Sequence, residues 1–505
     1  MRLTIKYKLA LITRNFTSMK IKKFLVLIMI LSFISCTNKS NEWSDLFNGK
    51  DLAGWTAAEN PGSFRVEEGA LVCSGERGHL FYNTDKPFKN FELIAEIKTL
   101  PLANSGIYFH TSWQETDWPS TGYEVQVNNT HIGADNYRET KKTGSLYAVR
   151  NVHYQMVKDG DWFTLHIKVQ ENHVEIFVND HKVVDYVQPD IPWRSEEHKG
   201  RLLGSGTFAL QAHDPKSTVY YKSIRVKRLP DGEKSPLPAD EKWETTLAQL
   251  MDKGFPVVDY HVHLKGGLTL EEVKQNSLRL GINYGLAPNC GLKFPVTDDK
   301  SLAAYMDTVK GQPVFRGMQA EGREWITLFS PEAIAKFDYV FTDAMTFTDN
   351  KGRRNRIWIK DEVWIDDKQQ FMEQLIGKIE SIFSQEPVDI YVNPTVLPDA
   401  LMPEYEQLWT KERMARVVKV LAENNIALEI NARYKTPGAE MIKMAKAAGI
   451  KFTFGTNNTG RELGRLEYCL QMIEECGLTP DDIFMPKTHE EKPVLVKRLP
   501  SKITG

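Results

Sequence analysis

The stretch Gly122-Tyr123-Glu124-Val125-Gln126-Val127-Asn128 decides the fold of the first part of the chain. Its period-2 alternation predicts a β-strand with the carboxylate and the carboxamides on one face and Tyr123, Val125 and Val127 on the other. The apolar face suits the inside of a two-layer sandwich, and the polar face suits a groove for a polyhydroxylated ligand. An ordinary solvated sheet face is the alternative, because half-polar antiparallel strands are common.

Short alternating strands recur on both sides of this stretch. The predicted strands are 91–97, 105–110, 163–169, 173–178, 208–213 and 219–226. The pair 163–169 and 173–178 flanks a short polar turn, as in a hairpin. Many short strands with almost no helix indicate an all-β sandwich over residues 43–229.

A proline-rich, charged linker at residues 230–250 separates this region from one with a different rhythm. From residue 251 to 490, strands alternate with helices, and residues 491–505 form a tail. The predicted strands are 257–263, 282–288, 314–321, 339–345, 389–395, 427–432 and 451–457. The predicted helices include 270–280, 370–383, 411–423 and 440–448. Repeated βα units imply a parallel sheet, either open or closed into a barrel.

With 64 Lys and Arg against 66 Asp and Glu, the 505-residue chain lacks the basic excess of a nucleic-acid-binding protein.

The N-terminal region has the pattern of an export signal. A basic segment after Met19, an apolar run and Ser35-Cys36 predict a signal peptide over residues 1–35. The serine before Cys36 resembles a bacterial lipobox, so we expect lipidation of Cys36 and a tether over residues 36–42. A membrane-spanning anchor is the alternative, but the apolar run is shorter than the roughly 20 residues required.

The other four cysteines show no metal-binding spacing. No C-x-x-C pair occurs among Cys73, Cys290, Cys469 and Cys476. Cys469 and Cys476 are about 10 Å apart along a predicted helix, which is too far for a disulfide without distortion. All four are expected to be packing residues.

Polar residues end nearly every strand of the second region. In (β/α) barrels the strand C-terminal ends form one rim, so these side chains are expected to converge. Strand alternation points His261 and His263 to the same side, which is a common beginning of a metal site. Together with Glu321 and Asp343 they predict a divalent metal site, for which chance pairing of two histidines is the alternative.

The second region resembles the PHP (polymerase and histidinol phosphatase) superfamily. The resemblance rests on Asp259-Tyr260-His261-Val262-His263 and on Glu321. It implies a seven-stranded barrel with metals at the strand C-terminal ends. Where this superfamily usually has histidine or aspartate, the chain has Asn289, Asp343, Asn393 and Asn457. Carboxamides are poor ligands for transition metals, so either one metal on His261, His263 and Glu321 or a metal-free polar pocket is expected.

The first region resembles the 3-keto-disaccharide hydrolase domain family. The ordered motifs are Asp45-Leu46-Phe47-Asn48-Gly49-Lys50-Asp51-Leu52-Ala53-Gly54-Trp55, Asn104-Ser105-Gly106-Ile107-Tyr108-Phe109, Gly122-Tyr123-Glu124-Val125-Gln126, Thr143-Gly144-Ser145-Leu146-Tyr147 and Leu210-Gln211-Ala212-His213. The resemblance implies a concanavalin-like jelly roll. The fold class expected for the whole chain is therefore multidomain: an all-β jelly-roll sandwich followed by an α/β PHP-like seven-stranded (β/α) barrel.

This resemblance implies cleavage of 3-keto-glycosides. A ketone at C3 acidifies the C2 hydrogen, so a base can expel the C1 substituent, and water then adds to the enone. The implied catalytic residues are Glu124, His213 and Gln126, with Glu124 and His213 each a candidate for base or for metal ligand. The implied substrate-binding residues are His110, Asn104, Trp113 and Tyr147, and Trp118 is a further stacking candidate.

Several of these residues also have a purely structural interpretation. His213 is alternatively a strand-end histidine that bonds a loop, and Tyr147 a core or rim aromatic. His110, Trp113 and Trp118 are alternatively rim packing.

Three functional hypotheses follow. The first is an exported enzyme that cleaves 3-keto-glycosides in the sandwich. The second is a lectin-like sandwich that carries a metal-dependent barrel hydrolase, and the third is a barrel phosphoesterase with an accessory sandwich. The first implies a glycoside or oligosaccharide substrate, membrane attachment through the lipid, a periplasm-facing location and an upstream sugar 3-oxidoreductase as a functional partner.

Overall fold

The computed structural model describes residues 42–134 and 137–486. The predicted signal region, Cys36 and the 491–505 tail lie outside these residues. Within them, no helix is both long enough and apolar enough to cross a bilayer.

The first part of the chain folds into antiparallel sheets, as predicted. Its strands are β1 (Ser44–Asp45), β2 (Trp55–Ala58), β3 (Phe64–Glu67), β4 (Ala70–Ser74), β5 (Gly78–Tyr82), β6 (Phe91–Thr99), β7 (Asn104–Thr111), β8 (Tyr123–Asn128), β9 (Gly133–Ala134), β10 (Tyr137–Arg138), β11 (Phe163–Gln170), β12 (His173–Val178), β13 (His181–Val187), β14 (Thr207–Ala212) and β15 (Thr218–Arg228). One sheet has the order β13-β12-β11-β6-β15-β4-β3, with β1 paired to β15, and the other has the order β2-β5-β14-β7-β8.

Strand β8 shows why these residues form a sandwich. Tyr123, Val125 and Val127 are fully buried in the core between the sheets, as the alternation predicts. Glu124 and Gln126 on the opposite face are buried as well. The polar face is therefore covered by other parts of the domain, and the solvated-face alternative is wrong.

Part of the predicted 230–250 linker is helical. Asp240 caps helix α1 (Glu241–Asp252) by accepting a hydrogen bond from the Trp243 backbone N–H. Leu247 and Met251 pack into the barrel core. Apolar residues at helical spacing after the proline-rich segment explain the difference, because they bury one face of the helix.

The second part of the chain is a closed barrel of seven parallel strands, as the βα repeats and the resemblance predict. Its strands are β16 (Val258–Val262), β17 (Asn283–Leu286), β19 (Phe315–Ala320), β20 (Tyr339–Thr342), β23 (Ile390–Tyr391), β24 (Ala427–Asn431) and β25 (Phe452–Gly455). Pairing of β16 with β25 closes the barrel, and the short β18 (Asn289–Cys290) extends the β17 edge beside β19. A small ribbon, β21 (Thr346–Thr348) with β22 (Arg354–Arg356), follows β20.

Helices connect the barrel strands. They are α2 (Leu270–Leu280), α3 (Asp299–Val309), α4 (Trp325–Leu328), α5 (Pro331–Ile334), α6 (Lys368–Gln385), α7 (Tyr405–Leu408), α8 (Lys411–Glu423), α9 (Ala439–Ala447) and α10 (Glu467–Glu475). Capping fixes several helix starts: Thr269 and Glu272, for example, form a reciprocal capping box at α2. The four described cysteines are buried and free, as expected.

A loop of the sandwich, residues 137–154, joins the two parts at the N-terminal ends of the barrel strands. Asn283 at the start of β17 accepts a hydrogen bond from His153 N (2.9 Å) and donates one to Asn151 O (2.9 Å). Tyr154 packs on Phe315 at the start of β19, with ring centroids 6.1 Å apart. The sandwich core is continuous with apolar residues of the barrel strands. The rim at the strand C-terminal ends remains open at the opposite end of the barrel.

Candidate functional site

Glu124 lies on the polar face of the β2-β5-β14-β7-β8 sheet, in its edge strand β8. It lies opposite Tyr108 across the β7–β8 pair, next to the Gly106–Gln126 pair. A Cβ atom at Gly106 would lie 2.5 Å from Glu124 Oε1, so the glycine makes room for the carboxylate. Burial raises the pKa of Glu124, whereas the positive charge of Arg201 opposes this shift. A buried carboxylate with a raised pKa suits proton transfer near neutral pH.

Hydrogen-bond donors surround this carboxylate. Gln211 Nε2 lies 3.2 Å from Glu124 Oε1 and 3.2 Å from the Tyr108 hydroxyl. Arg201 Nη2 lies 3.9 Å from Glu124 Oε2. The side-chain oxygens of Gln126 and Gln211 are buried without a hydrogen-bond partner. Such unpaired acceptors are costly unless a ligand satisfies them, and sugar hydroxyls supply matching donors.

The 137–154 loop brings a second charged group to this face. Lys141 Nζ lies 3.1 Å from Glu139 Oε1, and both side chains are buried. Burial alone would lower the pKa of Lys141, but Glu139 beside it raises that pKa overall. Lys141 and Arg201 lie on the Tyr147 ring, 4.4 Å and 4.9 Å from its centroid. Tyr147, predicted to bind substrate, is thus in contact with two cations near Glu124.

His213 lies at the end of β14 and is half-buried. Its Nδ1 donates to Asp214 Oδ2 at 2.7 Å, which fixes the ring and leaves Nε2 as the second functional atom. The Trp118 ring lies 5.4 Å from the His213 ring. Trp113 is 52% exposed and contacts Phe81 at 5.2 Å. Both tryptophans form an aromatic rim along the polar face.

Gln126 and Asn104 lie together on this face, whereas His110 does not. Gln126 Nε2 donates to Asn104 Oδ1 at 2.8 Å. His110 adopts a positive φ of 56° beside an irregular β14–β7 register. Its Nε2 bonds Lys89 O at 2.8 Å, and its Nδ1 accepts from Gly204 N at 3.1 Å. The bulge turns the His110 ring into the core, against Phe91 and Phe109, and away from the polar face on which the other predicted substrate-binding residues lie.

The barrel rim contains a second site. A cavity of about 610 Å³ opens at the strand C-terminal ends. Its lining includes His263, Lys265, Gln319, Glu321, Asp343, Asn393, Arg433 and Asn457. The predicted convergence of polar strand ends is thus observed for three predicted metal ligands, His263, Glu321 and Asp343.

Acceptors within the fold orient the two histidines of β16. His261 Nδ1 donates to Glu429 Oε1 at 2.6 Å, and His263 Nδ1 donates to Ala287 O at 2.7 Å. The ring centroids are 5.1 Å apart. His261 Nε2 is buried without a partner. Imidazoles held through Nδ1 in this way present Nε2 as a metal ligand.

The two carboxyl groups of the cavity influence each other. Burial raises the pKa of Glu321 to about 8, and the nearby Asp343 carboxylate contributes to this rise. Burial also raises the pKa of Asp343, while its hydrogen bond from Asn393 opposes the rise. Two buried carboxyl groups at one cavity are stabilised in their charged form by a bound cation.

The donor types therefore fit one divalent metal ion, but their spacing is wider than in a compact site. Among the described residues, the one group of three or more metal-ligating side chains whose ligand atoms all lie within 4.8 Å is His173, Glu175 and Asp185. That group lies on β12 and β13 of the other sheet of the sandwich, here called the outer sheet. There Lys182 pairs with both Glu175 (2.6 Å) and Asp185 (2.8 Å). The two carboxylates are therefore already engaged in a surface salt-bridge network.

Several residues of the two sites were not predicted from the sequence. Gln211 and Tyr108 belong to the quoted motifs, and strand alternation places them on the same faces as His213 and Gly106. Arg201, Lys141 and Lys265 lie in loops and carry no periodic signal. Only the folded chain brings them to their sites.

A two-layer sandwich with a buried carboxylate, carboxamides and an aromatic rim on one sheet face has the features of a carbohydrate hydrolase domain, followed here by a (β/α) barrel. Residues 42–227 match the family model of the 3-keto-alpha-glucoside-1,2-lyase-like domain. The N-terminal region is therefore similar to the 3-keto-disaccharide hydrolase domain family.

Known proteins resemble parts of the chain. A 3-keto-disaccharide hydrolase of Bacteroides thetaiotaomicron is 28% identical over 169 residues, covering 28% of this chain and 57% of the relative. The match thus spans little more than half of the relative's length. A candidate glycosyl hydrolase from Parabacteroides distasonis is 24% identical, with a TM-score of 0.32 over 37% of this chain and 94% of that one. Histidinol phosphate phosphatase from Lactococcus lactis, solved with zinc, L-histidinol and phosphate, is 13% identical, with a TM-score of 0.33 over 44% of this chain and 95% of that one.

Proposed function

We propose that the sandwich cleaves the glycosidic bond of 3-keto-glycosides by elimination followed by hydration. The observation that carries the proposal is the buried Glu124 carboxylate, with its raised pKa, beside Arg201, Tyr108 and Gln211. The family match over residues 42–227 and the curated relative support the same substrate class.

The proposed reaction begins with proton transfer. Glu124 takes the proton from C2, and the electron pair of the C–H bond forms an enediolate with the C3 carbonyl. Arg201 and the neutral donors nearby stabilise the negative charge that develops on oxygen. Collapse of the enediolate breaks the C1–O bond and releases the aglycone, whose oxygen takes a proton from His213. Water then adds to the enone: its oxygen bonds C1 and its released proton returns to His213, while the Glu124 carboxyl gives its proton back to C2, which completes a net hydrolysis.

Positive charge on this face comes from side chains of the chain itself. Within residues 42–134 and 137–486, the face has no group of three metal-ligating residues with ligand atoms within 4.8 Å. Arg201 and Lys141 place two cations near Glu124. In the proposed steps these two side chains supply positive charge near Glu124.

A chromogenic 3-keto-glucoside tests the proposal on the full chain. Glu124→Gln is expected to lower kcat/KM by about 10²-fold or more, because general-base catalysis contributes about that factor. A deuterium at C2 is expected to slow the reaction wherever C–H cleavage limits the rate. Glu92→Gln on the outer sheet is the matched control and is expected to keep full activity. Full activity in Glu124→Gln, or loss confined to His261→Ala, would contradict the proposal.

A lectin-like role for the sandwich makes the opposite prediction. A binding module would retain the 3-keto-glucoside without releasing its aglycone, and Glu124→Gln would change affinity alone. Comparing binding with product release in the same samples separates the two hypotheses.

A metal-dependent hydrolase in the barrel is the second candidate function. It is favoured by His263, Glu321 and Asp343 at one cavity and by the unpartnered His261 Nε2. His261, His263, Glu321 and Asp343 would hold the ion, which when bound would act as a Lewis acid and activate water. Zinc analysis of wild-type protein and His263→Ala, together with phosphate release from a generic phosphoester, tests this role. Equal zinc content and equal phosphate release in the two proteins would exclude it.

The cellular setting is a further part of the proposal. Acylation of Cys36 would attach the chain to the cell envelope, facing the periplasm, and a sugar 3-oxidoreductase would supply the ketone. Radiolabelled palmitate incorporation into wild-type protein but not into Cys36→Ala is the expected result.

A further inference from the structure

One wall of the barrel cavity, beside β16, β25 and β24, carries two cationic side chains. Lys265 interacts with the Glu321 carboxylate of the cavity only at longer range. Lys265 follows β16 and Arg433 follows β24, and these strands are the neighbours of β25 on its two sides. Within the described residues, neither forms an ion pair with a carboxylate within 4.0 Å. Arg433 Nη1 donates only to the Asn457 carbonyl oxygen, at 3.3 Å. The cavity thus has a cationic wall in addition to the Glu321 and Asp343 carboxyl groups. The two neighbouring cations on this wall favour an anionic group on a ligand.

The backbone holds Lys265 in place. Gly266 has a φ of +62°, and a Cβ atom there would lie 2.7 Å from Thr459 O. Just before Lys265, the backbone of His263 is bound by Asn458, whose side chain accepts a hydrogen bond from His263 N at 2.8 Å and donates one to His263 O at 2.9 Å. The backbone segment that carries Lys265 is therefore fixed against the segment that follows β25, at the edge of the cavity.

A group of hydrogen-bonded asparagine side chains borders the same cavity. Asn393 Oδ1 accepts from Asn457 Nδ2 (2.9 Å) and Asn431 Nδ2 (3.1 Å), and its own Nδ2 donates to Asp343 at 3.1 Å. Asn393 and Asn457 both have left-handed backbones, with φ of 48° and 44°. Non-glycine residues in this conformation are strained and cluster at ligand sites.

Unused polar atoms remain at the cavity. Gln319 Oε1 accepts from Asn289 at 3.0 Å, while within the described residues its amide nitrogen has no hydrogen-bond partner. Asn457 Oδ1 and His263 Nε2 likewise have no hydrogen-bond partner within the described residues. These atoms offer one donor, one acceptor and one imidazole nitrogen to hydroxyl groups.

We propose that the barrel cavity binds a small polyhydroxylated anion: a sugar that carries one carboxylate or phosphate group. The anionic group contacts Lys265 and Arg433, and the hydroxyls contact the free groups of Gln319 and Asn457. A volume of about 610 Å³ accommodates a monosaccharide of this kind. This binding site is separate from Glu124 and does not depend on the activity proposed for the sandwich.

Calorimetric titration of the full chain in EDTA tests the proposal with four probes: gluconate, glucose 6-phosphate, glucose and inorganic phosphate. At least one sugar anion is expected to bind ten-fold or more tightly than glucose and than inorganic phosphate. The tighter of the two sugar anions identifies the anionic group. Glucose binding as tightly as both anions, no binding of either anion, or anion binding that requires added metal would overturn the proposal.

Variants locate the binding. Lys265→Met is expected to raise the Kd of the sugar anion at least ten-fold, and Arg433→Gln is expected to act in the same direction. The exposed Lys300→Met is the matched control, and Glu124→Gln controls for binding in the sandwich; both are expected to bind as wild type does. Unchanged affinity in both Lys265→Met and Arg433→Gln, or loss in Glu124→Gln, would overturn the proposal.

Discussion

At the scale of single residues, Gly106 and Glu124 act as a pair. The Glu124 carboxylate lies over Gly106, so close that any side chain on residue 106 would clash with it. Burial in this position raises the pKa of Glu124. The small residue and the reactive residue therefore depend on each other.

Gly106→Ala is expected to displace the Glu124 carboxylate. A misplacement of about 1 Å can cost about 10²-fold in rate, so we expect a ten-fold or larger loss in kcat/KM toward a 3-keto-glucoside. Gly62→Ala is the control, because a Cβ there meets open space. Equal activity of the two variants would show that the carboxylate position is unimportant.

The raised pKa of Glu124 makes both activity and stability depend on pH. As a base, Glu124 acts only when ionised, so the acid limb of kcat/KM is expected above the ordinary glutamate pKa of about 4.3. Because the folded-state pKa is raised, ionisation costs the folded protein more than the unfolded chain. The free energy of unfolding should therefore fall as pH rises through the folded pKa.

Glu124→Gln removes this stability cost. The variant is expected to gain Tm relative to wild type at pH 8 and to lose most of that advantage at pH 4, where the wild-type carboxyl is largely protonated in both states. Thermal unfolding of both proteins at the two pH values gives the comparison. A Tm difference independent of pH would contradict the role of ionisation.

At the scale of elements, the 137–154 loop connects the two parts of the molecule. Glu139, Lys141 and Tyr147 face the Glu124 site, and Asn151 and His153 bond the barrel. Arg150 also forms a buried ion pair with Glu244 of α1. The loop therefore holds side chains of the sandwich site while it rests on the barrel.

Asn283→Ala is expected to destabilise this connection. The substitution leaves His153 N and Asn151 O buried without partners, at roughly 1–3 kcal/mol for each group. Urea unfolding is expected to show the loss, and kcat/KM toward the 3-keto-glucoside to fall with it. Asn276→Ala, on the partly exposed surface of α2, is the control, and an equal loss there would argue against the loop contact.

At the scale of the whole molecule, the sandwich and the barrel share a continuous apolar core. Tyr154 of the sandwich packs on Phe315 of the barrel, and residues such as Tyr260 and Phe341 belong to the same cluster as the sandwich core. Separating the two parts would expose this surface to water. The barrel thus stabilises the sandwich at one end and keeps its own cavity open at the other.

A fragment spanning residues 43–229 is expected to unfold at a lower temperature than the full chain. The full chain is expected to unfold in one cooperative transition, because each part covers apolar surface of the other. Circular dichroism melts of both proteins test this. Two transitions in the full chain, with the first at the Tm of the fragment, would show that the parts are independent.

The sequence alone determined the elements and the faces of the strands. Alternation in β8 placed Glu124 opposite Val125, and the repeated βα units predicted the parallel strands, because both patterns depend on near neighbours in the chain. Closure of the barrel and the burial of His110 depended on packing that no local pattern encodes.

The tertiary structure decided which polar residues meet. Arg201 approaches Glu124, and Lys265 approaches Arg433, only after distant segments fold together. Loop residues have no periodicity, so their side chains are positioned by the surrounding fold. The sequence could thus predict Glu124 and His263 from strand ends and faces, while the cations that complete both sites became visible only in three dimensions.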